Sequence, residues 1–82
     1  MPEGAAPADV VIEACRVWRW ARTGHWTSGE KAARWAIGRM SHPEVVETAL
    51  RTRDGGPQPD ADAVEQCLDA IRTAVAAARP RE

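Results

Sequence analysis

Between positions 64 and 78, Val64, Cys67, Leu68, Ile71, Val75 and Ala78 fall at i, i+3, i+4, i+7, i+11 and i+14. That spacing lays one apolar stripe along a helix, whereas a strand would send neighbouring members to opposite faces. The same period recurs upstream, in Val10, Val11, Ala14, Val17, Trp18 and Ala21. Two amphipathic helices of about four turns in one short chain must bury their stripes against each other or against further helices. A sheet has little to be built from: the sequence has no Tyr and no Phe, and its β-branched residues do not form runs between turn signals.

Chain breakers divide the rest. A first helix is expected from about Ala8 to Thr23, ended by Gly24 in the left-handed conformation that closes helices. Residues 1–7, with two Pro and a Gly, read as a loose lead-in. A second helix is expected to start at Thr27 or Ser28; with Thr27 as cap, Glu30 completes a capping box. Ser41, His42, Pro43 and Glu44 read as a third helix start capped by Ser41, and Arg51 and Arg53 suit the negative end of its dipole. Asp54 to Pro59 is a loop, and a fourth helix runs from about Ala61 to Arg79, stopped by Pro80. The expected fold is therefore all-α, a compact four-helix bundle spanning residues 8–79.

Only 12 of 82 residues are Leu, Ile or Val, and the missing apolar volume comes from 16 Ala and four Trp. Alanine lets helix backbones approach closely, and tryptophan fills the remaining space. Trp18 and Trp35 fall on the packed faces. Trp20 and Trp26 are less constrained, and exposure of either would mark an interface. Cys15 and Cys67 sit within helical patterns as small buried thiols rather than as a disulfide. With His25 and His42 they are the soft metal ligands of the sequence, at spacings of 10, 17 and 25 residues that fit no zinc pattern, so no metal site is expected.

Charge nearly cancels overall, at a formal −1, yet residues 15–53 hold eight basic side chains against three acidic ones. Such a surface suits phosphate, nucleic acid or an acidic partner. No segment approaches the roughly 18 consecutive apolar residues of a membrane span, and MPEGAAPADVV lacks the basic start and apolar core of a signal peptide, so a cytoplasmic protein without a membrane partner is expected. Ala33, Gly38 and Val45 or Val46 fall near the positions of a helix-turn-helix, but its reading helix would open with Glu44 and Glu47 and offer no base-reading side chain before Arg51. Nucleic acid is therefore not the expected partner. Arg19 and His25, with five residues between them, have the spacing of helical ribonuclease toxins of the HEPN type, but Gly24 interrupts the helix.

Ile12, Arg16 and Trp20 form a second stripe on the first helix at i, i+4 and i+8, apolar, cationic and aromatic in turn. It is the candidate contact surface, with Arg16 and Arg19 as candidates for a phosphate or a partner and Ile12 and Trp20 as the interface. Arg16 has a simpler explanation as well, a surface cation-π pair with Trp20 one turn away.

The stretch CRVWRWARTGHWTSGEKAARWAIGRM resembles the C-terminal helical domain of the aminoglycoside nucleotidyltransferases that adenylylate streptomycin or spectinomycin. The resemblance rests on Arg16, the Thr23-Gly24 turn, Ser28-Gly29 and Ala32-Ala33-Arg34-Trp35-Ala36, and covers about residues 10–78. It implies a domain that closes over a catalytic half and lends the nucleotide triphosphate an Arg, here Arg16, and a Lys. The Lys position is Gly29 here, with Lys31 two residues on and about 200° round the helix, and Arg53 stands where the family tends to have Tyr. No Gly-Ser turn followed by an Asp-x-Asp pair, as in a nucleotidyltransferase domain, is present in the sequence. The chain is thus expected not to catalyse alone: ATP, magnesium and an aminoglycoside would engage only with a nucleotidyltransferase partner. The competing reading is an interaction module that binds a partner or a copy of itself.

Overall fold

The structure is a computed structural model that describes residues 6–78. It contains four helices, α1 (Pro7–Thr23), α2 (Gly29–Ile37), α3 (Glu44–Arg53) and α4 (Ala61–Ala78), and no strand among the described residues. The all-α four-helix expectation holds. Residues 1–5 of the expected lead-in, Arg79 and the stop at Pro80 lie outside the described residues.

α1 is the hub, packing on all three other helices, while α3 and α4 barely meet. Ala8, Val11, Ile12, Cys15 and Trp18 of α1 meet Ala32, Ala33 and Ala36 of α2, Val46 and Ala49 of α3, and Val64, Cys67 and Ile71 of α4. The three α2 alanines are wholly buried, which brings the short α2 close against α1. Trp18, 7% exposed, joins the core and meets Trp35 edge to face, ring centroids 5.0 Å apart at 76°. Trp35 itself is only half-buried; Arg39 covers its ring at 4.4 Å. Burial raises the thiols of both Cys67 and Cys15, and Cys15, which also feels Cys67, is pushed up to about 12.

Helix ends show where local signals held. Gly24 closes α1 at φ 77° and its N–H donates to Trp20 O at 2.7 Å. α1 starts at Pro7, one residue earlier than expected, since proline fits the first turn of a helix. Ser28 rather than Thr27 caps α2, its Oγ accepting from Lys31 N–H at 3.3 Å, which puts Glu30 at the second helical position and dissolves the expected capping box. Ser41 does not cap α3. The residue before a proline is pushed out of helical geometry, so Pro43 becomes the cap and its carbonyl accepts the first helical bond, from Glu47 N–H at 3.0 Å.

The loop between α3 and α4 also serves α1. Ala6 supplies no side-chain cap, and the Ala8 N–H donates instead to Gln58 Oε1 at 3.2 Å. Asp60 Oδ2 then accepts from Ala63 N–H at 3.1 Å in the first turn of α4.

Candidate functional site

Beyond Gly24 the chain reverses and runs back along α1. The Thr23 hydroxyl fixes the turn, donating to Arg19 O at 2.8 Å and accepting from His25 N–H at 3.2 Å. The reversal brings Trp26 beside Trp20, centroids 5.7 Å apart and planes 18° from parallel. On Trp26 lies the guanidinium of Arg16, its carbon 5.3 Å from the ring centroid. Arg16 Nε donates to Thr27 O at 3.1 Å and Nη1 to Glu13 Oε2 at 3.0 Å. An arginine on the first helix is thus clamped by the strand of chain that follows it.

α2 begins where this reversed segment touches α1. A β-carbon on Gly29 would stand 2.6 Å from Ile12 Cγ2 and 3.2 and 3.3 Å from the Nη atoms of Arg53. Only a residue without one lets α2 start so close to α1, and the Arg53 side chain lies over the gap. Arg53 is otherwise tied to Asp9 alone, Nε to Oδ1 at 4.0 Å, and donates no hydrogen bond among the described residues.

The sequence-derived stripe is thereby divided. Ile12 is 1% exposed and belongs to the core, because the start of α2 lies on it. Trp20 and Trp26 are the large exposed apolar side chains, at 46% and 53%. The cation-π partner of Arg16 is Trp26 and not Trp20, a pairing that depends on the reversal at Gly24. The Arg19 side chain joins none of these contacts: its Nε is screened from solvent and has no hydrogen-bond partner among the described residues. Sequence reasoning singled out Trp26 and Arg53 but did not place Trp26 against Arg16 or Arg53 over Gly29. The Thr23-Gly24 turn signalled that the chain reverses, but not which side chains the reversal would bring together.

Among the described residues no three His, Cys, Asp or Glu side chains gather as a metal site would require, and no helix is long and apolar enough to cross a membrane. Residues 3–78 match the model of the aminoglycoside adenylyltransferase C-terminal domain, and the chain belongs to that family. No curated protein and no solved structure matches it.

Proposed function

We propose that the chain is a nucleotide-closing helical domain that works with a nucleotidyltransferase domain and lends Arg16 to the phosphates of the bound nucleotide. The observation that carries this reading is the state of Arg16. It is held by Thr27 O, Glu13 and the face of Trp26, yet its side chain stays 36% exposed. Nη2 donates no hydrogen bond among the described residues. A guanidinium already fixed in place loses less freedom when it takes a phosphate in two-pronged fashion. The family membership supports the same role.

The catalytic carboxylates, magnesium and the aminoglycoside pocket would come from the partner domain. Trp20 and Trp26, exposed beside Arg16, suit a surface that is covered on closure. The reading is tested by adding the chain to the catalytic half of an aminoglycoside nucleotidyltransferase expressed without its helical domain. Transfer of AMP from ATP to streptomycin or spectinomycin is then followed. Activity should rise with the chain and fall about tenfold or more with Arg16→Met, the loss expected of a charge-assisted phosphate contact. No stimulation, or stimulation indifferent to Arg16→Met, would count against it.

The exposed tryptophan pair also favours a second reading, self-association. A dimer in sedimentation that Trp20→Ala abolishes would support it, and a monomer indifferent to that change would not.

A further inference from the structure

We propose that Arg53 is the second cation of the phosphate site to which Arg16 belongs, so that the chain grips a linked phosphate chain, the polyphosphate of a nucleotide, with guanidiniums from α1 and from the end of α3. The proposal rests on the reading of Arg16 given above and adds a residue to it.

The two arginines come to one place by different routes. Arg16 reaches Thr27 O at 3.1 Å, and Arg53 lies with Nη1 3.2 Å from the position of a Gly29 β-carbon. Thr27 and Gly29 are two residues apart, so both guanidiniums lie against the same short segment at the start of α2. Two cations on one short segment suit linked phosphates better than a single phosphate.

Arg53 has donors to spare. Its one ion pair among the described residues, with Asp9 at 4.0 Å, joins side chains that are 47% and 62% exposed, and such pairs contribute little. Its guanidinium lies beside the gap that the absence of a β-carbon on Gly29 leaves, 3.2 and 3.3 Å from where that carbon would stand.

Among the described residues Glu13 pairs with Arg16 and Asp9 with Arg53, so these four side chains together carry no net charge. A singly charged anion has little to gain by displacing the carboxylates. A polyphosphate, carrying several charges on one molecule, replaces both carboxylates at once and pairs with each guanidinium through parallel N–H bonds. The two acids are exposed and free to turn into solvent.

The test titrates inorganic tripolyphosphate, with monophosphate for comparison, into the chain at low ionic strength while NMR follows the arginine Nε–H signals. The signals of Arg16 and Arg53 should move along one binding curve, and monophosphate should bind more weakly. Arg53→Met should weaken tripolyphosphate binding roughly fivefold or more, the loss of one charge-assisted contact. Asp9→Asn should tighten it, and Arg34→Met, which removes an exposed pair with Glu30, should leave it unchanged. If Arg16→Met abolishes binding and Arg53→Met does not alter it, Arg53 is refuted while the role of Arg16 stands. If neither substitution matters, or if neither signal moves, both are refuted.

Discussion

Gly29→Ala tests the close approach of the start of α2 to α1. The added methyl would stand 2.6 Å from Ile12 Cγ2, about 1 Å inside the optimum for two carbons. Arg53, whose guanidinium lies 3.2 Å away, is the flexible end of a long side chain and can move aside. Ile12 cannot: it is 1% exposed, and branching at its β-carbon stiffens χ1. Overpacking of this kind costs about 1–3 kcal/mol. Against it stands the gain of alanine over glycine in a helix, at most about 1 kcal/mol in a helix interior and less at its first residue. The net expectation is a loss of about 1–2 kcal/mol, read as a fall of roughly 5–10 °C in Tm for a domain of this size. Ile12→Leu removes the offending branch, so in that background Gly29→Ala should cost less, with a coupling of about 0.5 kcal/mol or more. Thermal melts of the four proteins followed by circular dichroism supply the cycle. A stabilising Gly29→Ala, as helix propensity alone dictates, or strict additivity with Ile12→Leu, would refute the close-approach argument.

Urea melts should rank the two core tryptophans. Trp18→Ala should cost about 3–5 kcal/mol because the side chain is 7% exposed in the core, and Trp35→Ala clearly less because Trp35 is half-buried; equal losses would contradict the packing. Cys15 should resist thiol reagents near neutral pH until the chain unfolds. Its thiol is raised from 9.0 to about 12 in the fold, so the unfolded chain loses the proton first: the stabilisation is intact below pH 9 and declines between pH 9 and about 12. Denaturant melts across that range check the sign, and a stability that rises there would refute it. Random duplex DNA should show no measurable binding at about 0.15 M salt, because Glu44 and Glu47 open α3 and phosphate contacts alone weaken steeply with salt; submicromolar affinity would revive the helix-turn-helix reading.

The sequence by itself determined the helices. Periodic apolar residues, Gly24 and the Asp54 to Pro59 loop are local signals, and local signals suffice because helical hydrogen bonds close within four residues. The family, too, was legible in Arg16, Thr23-Gly24 and Ala32-Ala33-Arg34-Trp35-Ala36, since these motifs are contiguous in the chain. Helix starts were less so: Ser28 and Pro43 took roles assigned to Thr27 and Ser41, the competition at each end being settled by a single residue's geometry. The tertiary structure alone decided the site. A stripe at i, i+4 and i+8 shows that Ile12, Arg16 and Trp20 share a side of α1, but not that α2 would start on Ile12 and bury it. Nor does spacing say that Trp26 would slip between Arg16 and Trp20, or that Arg53, 24 positions beyond Gly29, would lie across it. Those neighbours depend on where the chain goes after Gly24 and how closely the alanines let α2 approach α1, and both are properties of the packed whole rather than of any one helix.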